Sequence, residues 1–375
     1  MNFDVIIIGG GLAGLCNALH LSRKGIKVLV IEKDEYPKHK VCGEYISNEV
    51  LPYLQSLGFN PFDFGAKAIT ELNLSTSGSK SIKAKLPLGG FGISRYCIDA
   101  ELAKAAQNYG TTFVQAKASN LLFQDDYFEV STAEGDTFKA GFLIGAYGKR
   151  SKLDRDMERP FILKKSPFLG VKAHYAGPFP ENLVGLHNFK GGYCGVSKVE
   201  NDHINICYLV NYQSFKKYKS LEDFQEKVLC QNKFLQETLS QSELVFERPL
   251  TISQVSFLEK APVENHILMC GDSAGMIHPL AGNGMGMAIR SAQILSNLIL
   301  KFRAGKITSR QALEENYERQ WNKEFGSRLK YGHLISRAFR MGFFSEILMT
   351  ALKLIPSLLP LIVRKTHGKA MKPIA

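Results

Sequence analysis

The 375-residue sequence predicts an α/β fold in which a parallel-sheet domain carries an inserted antiparallel sheet and a helical C-terminal segment. Three observations support this fold class. A βαβ pattern occupies the start of the chain, alternating apolar and polar residues fill its middle, and long helical patterns follow residue 283. A chain of this length suits two or three structural units.

The first unit begins with a β-branched run at 4–8, followed by a glycine-rich turn, a helical stretch at 15–24 and a second apolar strand at 27–31. This order of elements is typical of a βαβ unit, which requires a parallel sheet and a right-handed crossover. We therefore expect both strands to be buried neighbours.

The turn of this unit reads Gly9-x-Gly11-x-x-Gly14, and Glu32 closes the second strand. The first glycine allows the tight turn, the second lets a pyrophosphate approach the backbone, and the third lets the helix pack on the strand. A carboxylate at the end of the second strand can accept hydrogen bonds from ribose hydroxyls. The pattern predicts a dinucleotide site without deciding which dinucleotide it holds.

The later elements follow from periodicity. Two strand-like segments, at 71–75 and 81–86, interrupt the βα pattern. A helix at 99–108 and a strand with a hairpin at 111–144 then lead back to the first sheet. A region of alternating residues at 160–260 predicts an antiparallel sheet with one helical stretch at 221–239. We place the dinucleotide-binding domain at 1–64, 89–160 and 261–330, the substrate domain at 65–88 and 161–260, and the helical segment at 331–375.

A second strand-to-helix corner lies far along the chain. A short apolar strand at 267–270 leads into Gly271 and Asp272, and a glycine-rich turn then opens a helical pattern at 284–303. The aspartate can hold ribityl hydroxyls, and the helix N-terminus can stabilise negative charge on a reduced flavin ring. This corner favours FAD over a nicotinamide dinucleotide alone.

Taken together, these motifs resemble the FAD-dependent oxidoreductases of the para-hydroxybenzoate hydroxylase type, in particular the branch of geranylgeranyl reductases and flavin-dependent halogenases. The resemblance runs from residue 3 to about 330, and it depends on the two corners, on the stretch 38–44, and on Ser94-Arg95 with Asp99 and Leu102. It implies a Rossmann-like FAD-binding domain of the glutathione-reductase type and FAD as cofactor. The residues it assigns to FAD are Gly9, Gly11, Leu12, Ala13, Gly14, Glu32, Lys33, Cys42, Gly43, Arg95, Ala118, Gly271, Asp272, Pro279, Gly282, Gly284 and Met285.

Within this branch, Cys42 in the Lys-Val-Cys-Gly-Glu stretch resembles the reductase cysteine that lies beside the flavin ring. A flavin hydride added to a carbon–carbon double bond requires a proton for the other carbon, so Cys42 is the candidate catalytic residue. The neighbouring Lys38, His39 and Lys40 are expected to favour the thiolate instead. A plain packing role for Cys42 stays open.

The leading hypothesis is an FAD enzyme that reduces double bonds of a lipid-like, isoprenoid substrate. A monooxygenase acting on a phenolic or polyene substrate is the first alternative, and a membrane-associated FAD protein without turnover is the second. Halogenation is disfavoured because the chain has one tryptophan, Trp321. Tyr147 stands where the family commonly has an aspartate that supports nicotinamide docking. The electron donor, with NAD(P)H as a candidate, is therefore left open.

Composition limits the partners and the surroundings of the protein. Its formal charge of +12 could serve nucleic acid, an anionic membrane or anionic cofactors, but no nucleic-acid module is present. Seven scattered cysteines indicate neither a disulfide scaffold nor a zinc site. The N-terminal residues lack a signal-peptide pattern, so we expect a cytoplasmic protein.

The apolar stretch at 343–363 is broken by Glu346, Lys353 and two prolines, which argues against a spanning helix. It is expected either to pack over the substrate domain or to lie in a membrane interface beside the basic residues at 364–372.

Overall fold

The computed structural model describes residues 2–278, 280, 282–340, 342–355 and 357–374. In chain order the strands are β1 (Asn2–Ile8), β2 (Val28–Glu32), β3 (Tyr45–Ser47), β4 (Lys67–Ser75), β5 (Ser81–Gly92), β6 (Thr112–Gln115), β7 (Ala118–Gln124), β8 (Tyr127–Thr132), β9 (Thr137–Gly145), β10 (Phe168–Ala176), β11 (Leu183–Phe189), β12 (Gly192–Lys198), β13 (Ile204–Asn211), β14 (Glu243–Leu244), β15 (Leu250–Ser253), β16 (Val263–Glu264) and β17 (Ile267–Met269). The helices are α1 (Leu12–Ser22), α2 (Leu51–Ser56), α3 (Arg95–Asn108), α4 (Lys152–Asp156), α5 (Tyr212–Phe215), α6 (Leu221–Lys227), α7 (Lys233–Ser240), α8 (Gly284–Arg303), α9 (Arg310–Arg340), α10 (Gly342–Leu354) and α11 (Leu358–Thr366).

The first sheet has the strand order β16-β17-β9-β1-β2-β6, and β7 and β8 extend it from β9. Strand β1 pairs in parallel with β2 and β9, with Val5 opposite Val28 and Ile8 opposite Gly145. Its residues Val5 to Ile8 are buried in one apolar core together with residues of α1, α3 and α8. This confirms the predicted βαβ unit, and the carboxyl ends of β1 and β17 meet at one edge.

The second sheet has the order β14-β10-β13-β12-β11-β4-β5-β3, with β15 also paired to β10. Neighbouring strands are antiparallel except β4 and β11, which run parallel. Strand β3 belongs to this sheet although it lies within the range 1–64 assigned to the first domain. The domain boundaries themselves stay a prediction.

The single helix expected at 221–239 is wrong, because the chain forms α6 and α7 with a break before Lys233. The amide of Asn232 caps α7 and also donates hydrogen bonds to Ser75 Oγ and to the carbonyls of Thr76 and Asn188. These distant contacts hold Asn232 in an extended conformation, which ends the preceding helical turn.

Helices α10 and α11 pack over the second sheet, where Met349, Leu352 and Leu359 form one apolar cluster with residues of β4, β5 and β11. Beyond α11 the chain returns to the start of the protein, where the Met371 amide donates to the carbonyl of Glu49. Over the described part of the chain, no helix is both long enough and apolar enough to cross a bilayer.

Candidate functional site

A cavity of about 580 Å³ lies between the two sheets and the C-terminal helices. Its walls include the turn after β1, the loop at 40–45, the turn after β9, the corner at 271–285, strands of the second sheet and the inner face of α11. The two strand-to-helix corners that the sequence singled out therefore line one enclosed space. A cavity of this size and mixed lining is typical of a cofactor or ligand site.

The first corner has the geometry that a bound pyrophosphate requires. Gly9 has φ +103°, and a Cβ on Gly14 would lie 2.0 Å from the carbonyl oxygen of Gly9, so helix and turn pack without room for a side chain. A Cβ on Gly11 would instead face the cavity, with Arg95 Nη2 at 3.3 Å as its nearest neighbour. The N-terminal amides of α1 thus point into open space that suits an anion.

Glu32 lies at the edge of this corner. Its Oε2 accepts the Gly10 amide at 2.6 Å and its Oε1 accepts the Asp34 amide at 3.1 Å. Each oxygen keeps a further lone pair for a ligand hydroxyl. The carboxylate is therefore held in place with acceptor capacity to spare.

The second corner presents the carboxylate of Asp272 to the cavity. Within the described residues, the side chain of Asp272 forms no hydrogen bond or ion pair, although it lies against the cavity. Burial raises the pKa of its carboxyl, and the charges of Lys260, Arg95 and Lys149 act in the opposite direction. Asp272 is half-buried at the wall of the cavity, so its carboxylate oxygens are available as acceptors for ligand hydroxyls.

Arg95, at the start of α3, is fixed by two hydrogen bonds to Asp99, from Nε at 2.8 Å and from Nη2 at 2.7 Å. Lys40 also donates to Asp99 at 3.0 Å. The planar fork leaves the outer edge of the guanidinium beside Gly11, where it can meet a phosphate. Together with the free amides of α1 and the unpartnered Asp272, this arrangement fits a dinucleotide such as FAD.

Cys42 also lines the cavity, and its thiol donates to the sulfur of Met285 at 3.4 Å. Burial raises the pKa of this thiol, which is contrary to the expectation that the neighbouring basic residues favour a thiolate. That expectation is wrong because burial of the thiol is the largest influence on its pKa, and Lys38 and Lys40 are paired with Asp34 and Asp99. The Cys42 thiol faces the cavity, and burial favours its protonated form.

A cluster of charged and titratable side chains lies behind Cys42. Glu44 is fully buried at φ +53°, a backbone conformation that costs a non-glycine residue about 1 kcal/mol or more. Its carboxylate accepts hydrogen bonds from Lys172 Nζ at 3.0 Å, from His174 Nε2 at 2.6 Å and from the Arg95 amide at 2.8 Å. Burial alone would raise the pKa of Glu44, but the His174 hydrogen bond and the Lys172 charge outweigh it and lower the pKa.

His39 completes this cluster, which we call the Glu44 cluster (His39, Glu44, Lys172, His174). Its Nδ1 lies 3.4 Å from Lys172 Nζ, and burial together with the Lys172 charge lowers its pKa to about 4. Ligand atoms of His39, Glu44 and His174 lie within 4.8 Å of one another, a spacing that could suit a metal ion. The Lys172 ammonium already provides the positive charge at this position.

Tyr147, which departs from the family pattern, is half-buried and lines the cavity. Its hydroxyl donates to Asp154 at 3.2 Å, with the sulfur of Met269 at 3.3 Å as a second acceptor. Asp154 in turn pairs with the buried Arg159 at 2.9 Å. These contacts fix the orientation of the tyrosine ring at the cavity wall.

The far side of the cavity is an apolar channel. One wall is formed by β4, β5 and β11, and the other by α10 and α11. Its lining side chains are Leu72, Leu74, Leu86, Val184, Leu186, Leu352, Leu359, Ile362 and Val363. The channel is continuous with the space at the two glycine corners, so an apolar molecule in it would approach Cys42.

Most residues assigned to FAD from the sequence line this cavity. These are Gly9, Gly11, Leu12, Ala13, Glu32, Lys33, Cys42, Gly43, Arg95, Gly271, Asp272, Gly282, Gly284 and Met285. Gly14 acts in packing and Ala118 lies at the start of β7, away from the lining, while Pro279 lies outside the described residues. The individual contacts with FAD stay predictions.

The sequence analysis missed Lys172 and His174. They alternate with apolar residues in β10, a period of two that marks them as facing one side of the sheet. The channel residues of α10 and α11 belong to the apolar stretch for which packing over the substrate domain was one of two alternatives, and they pack on the second sheet.

Comparison with known proteins agrees with this geometry. Residues 2–320 match the family described as FAD binding domain. A digeranylgeranylglycerophospholipid reductase from Methanosarcina acetivorans is 25% identical over 358 residues, which cover 90% of this chain and 84% of the relative. Conditioned medium factor receptor 1 from Dictyostelium discoideum is 23% identical, with 91% of this chain and 70% of the relative covered.

Two further proteins, a monooxygenase and a brominase, are also similar to this chain. Squalene monooxygenase from Mus musculus is 23% identical over 320 residues, which cover 79% of this chain and 54% of the relative. The solved structure of the flavin-dependent brominase Bmp2 superposes with a TM-score of 0.81 at 17% identity, covering 98% of this chain and 93% of that one. The structural likeness shows the fold alone. The family match over most of the chain, together with the cavity at its two glycine corners, shows that this protein belongs to the FAD binding domain family and is an FAD-dependent oxidoreductase of the para-hydroxybenzoate hydroxylase-like superfamily.

Proposed function

We propose that this enzyme reduces carbon–carbon double bonds of a lipid-like, isoprenoid substrate. The observation that carries the proposal is the apolar channel, which belongs to the same cavity as the residues assigned to FAD. Such a channel can hold a long hydrocarbon chain and exclude water from it. The name of the Methanosarcina relative, digeranylgeranylglycerophospholipid reductase, supports the same substrate class.

The side chains of this protein would perform the binding and proton-transfer parts of the reaction. Leucines and valines of the channel hold the chain, and the Cys42 thiol donates the proton to the second carbon of the double bond. When bound, FAD supplies the hydride that adds to the first carbon. A transient donor, for which NAD(P)H is our candidate, returns the electrons.

The experiment uses purified protein loaded with FAD, reduced without oxygen, and offered prenyl lipids in parallel with phenolic lipids. Mass analysis is expected to show a gain of two hydrogen atoms for each reduced double bond of the prenyl lipid. Cys42→Ala is the test variant, and Cys230→Ala, at a half-buried thiol outside the cavity, is its matched control. Unchanged prenyl lipids with the parent enzyme would refute the proposal.

Hydroxylation is the second candidate, and the relative named squalene monooxygenase favours it. A water-excluding cavity serves that chemistry as well, because an oxygenated flavin is protected from decay there. The two functions differ in oxygen demand. Stoichiometric oxygen uptake with a product that gains one oxygen atom would select hydroxylation, and reduced FAD without any product would select a protein that binds FAD without turnover.

We also propose that the turn between α10 and α11 contacts an anionic membrane. Leu354 is 78% exposed and Ile355 is 52% exposed, with Lys353 beside them and Arg364 and Lys365 near the end of α11. Apolar residues next to basic residues are suited to the interface of an anionic bilayer. Sedimentation with phosphatidylserine vesicles tests this. Leu354→Glu is expected to abolish binding, and the same binding to neutral vesicles would contradict the charge argument.

A further inference from the structure

We propose that Gly195 on β12 is a specificity-determining residue, because its missing side chain leaves open the passage through which a hydrocarbon chain reaches Cys42. The inference rests on the proposed function and deepens it. It states where the substrate chain runs between the apolar channel and the thiol.

Gly195 lies in the middle of a row of residues that crosses the second sheet. It is directly opposite Cys207 of β13 on one side and Leu186 of β11 on the other. Residues that are directly opposite each other point to the same face of a sheet. The full row, from β10 to β4, is Lys172, Cys207, Gly195, Leu186 and Leu74. It therefore runs from the Glu44 cluster to the apolar channel, and its central member has no side chain.

Cys42 lies near the polar end of this row. Its carbonyl accepts a hydrogen bond from Asn205 Nδ2 at 3.3 Å. Asn205 and Cys207 are two residues apart in β13, so both side chains are on the face that carries Gly195. Cys42, Cys207 and Gly195 all line the cavity. A chain that extends along this row from the channel towards Cys42 would therefore pass over Gly195.

The space above Gly195 is open. A Cβ on Gly195 would have as nearest atoms the Cys207 carbonyl oxygen at 3.7 Å and Leu186 Cδ2 at 3.8 Å, which are ordinary contact distances. Val196 and Tyr208 also border the cavity, although their side chains belong to the apolar core on the opposite face of the sheet. The cavity therefore reaches the backbone of the sheet beside Gly195.

Gly170 on β10 provides a contrast. It also lines the cavity, but a Cβ there would lie 3.1 Å from Ile252 Cγ2 and 3.3 Å from Val41 Cγ1. Neighbouring side chains thus fill the space over Gly170, whereas the space over Gly195 belongs to the cavity. A branched side chain at position 195 would occupy the same volume as the substrate chain, and both cannot be accommodated without strain.

The test compares how readily two reagents label the Cys42 thiol in the FAD-loaded protein. Methyl methanethiosulfonate transfers a small group, and dodecyl methanethiosulfonate transfers a chain that must lie in the passage and the channel. Each reaction is followed by mass analysis, without reduction, of the tryptic peptide 41–67, whose one cysteine is Cys42. The ratio of the two rates is compared between variants at one pH, so that a change in the reactivity of the thiol itself cancels.

Gly195→Leu is expected to lower the rate with the dodecyl reagent, relative to the methyl reagent, by at least about tenfold. Gly195→Val is expected to give a smaller decrease, and Gly195→Ala, whose methyl group lies at ordinary contact distance, to keep the parent ratio. Gly141→Leu on β9 is the matched control, because a Cβ there has its nearest atom at 3.6 Å and Gly141 is outside the cavity lining. A parent-like rate with the methyl reagent shows that a variant is folded around Cys42.

Three outcomes would overturn the inference. If Gly195→Leu and Gly195→Val keep the parent ratio, Gly195 does not limit the passage. If Gly141→Leu lowers the ratio as much as Gly195→Leu does, the effect is not local to the passage. If the methyl reagent labels Cys42 of the parent and the dodecyl reagent does not, no chain reaches the thiol by this route. Labelling requires no turnover, so absent double-bond reduction would refute the proposed function while leaving this result intact.

Discussion

Alanine at Gly14 and at Gly11 separates folding from cofactor binding. A Cβ on Gly14 would lie 2.0 Å from the Gly9 carbonyl oxygen, whereas ordinary contacts begin at 3.4 Å, so α1 must move by more than an ångström. All residues of α1 are buried, and the helix has no free side toward which it can move. We expect Gly14→Ala to cost about 3 kcal/mol and to lower the Tm by roughly 4 °C, given the unfolding entropy of a chain of this length.

Gly11→Ala has a different expected result. The added methyl group meets no atom closer than 3.3 Å, so the apoprotein should unfold within about 0.5 kcal/mol of the parent. The same methyl group occupies the open space in front of the α1 amides. The affinity for FAD should fall at least about tenfold, or about 1.4 kcal/mol.

Thermal unfolding of the apoprotein and titration with FAD measure the two effects. Gly326→Ala in α9, where no atom lies within 4 Å of the added Cβ, is the control and should gain about 0.5–1 kcal/mol. The reasoning is refuted if Gly11→Ala destabilises the apoprotein as much as Gly14→Ala does, or if it binds FAD like the parent.

Three further predictions address titratable side chains. Asp272→Ala should lose FAD during purification, which the flavin-to-protein absorbance ratio measures. The Tm of the apoprotein should not fall, because this carboxylate has no partner among the described residues. A flavin-to-protein ratio equal to that of the parent would contradict the assignment of Asp272 to FAD. Asp154→Asn removes the nearest carboxylate from buried Arg159 and should lower the free energy of unfolding in urea by about 3 kcal/mol. A decrease no larger than that caused by a substitution at an exposed position would contradict the stabilising role of the Asp154–Arg159 pair. Burial lowers the pKa of His20 from 6.5 to about 4, so the unfolded chain binds a proton that the folded protein does not. Stability should therefore fall as the pH drops from about 6.5 to about 4, and His20→Gln should flatten that slope in unfolding measured against pH.

The parts of the fold that could be predicted are those whose signal is local. The strand, turn and helix from β1 to α1 follow from a β-branched run and three glycines, and α8 begins at Gly284 as its pattern indicates. The break before α7 could not be predicted in this way. It depends on Asn232, whose partners Ser75 and Asn188 are distant in sequence.

The pKa of Cys42 could not be predicted from sequence either, because it depends on residues that are distant along the chain. Lys38 and Lys40 are close to the cysteine in sequence, but Asp34 and Asp99 neutralise them in the folded protein. The groups that act on the thiol instead include Arg95 and Lys172, which folding brings near it from far along the chain. Charge proximity in a sequence is a weak guide to a pKa, because pairing decides which charges remain effective.

The substrate side could be predicted only as alternatives. The apolar stretch that becomes α10 and α11 was consistent with a wall over the substrate domain or with a membrane contact. In the structure Leu352 and Leu359 face the second sheet while Leu354 and Ile355 are exposed. A helical pattern alone cannot show which neighbour covers each face.

Because the glycine corners and the apolar channel line one cavity, FAD and a hydrocarbon bound there would be close neighbours. Their affinities are then linked, and the linkage is reciprocal. A hydrocarbon that tightens the hold on FAD by some factor must itself be held more tightly, by that same factor, once FAD is present. Substrate affinities measured with the apoprotein would accordingly differ from those of the FAD-loaded enzyme, because the apoprotein lacks the contacts that FAD makes with the substrate.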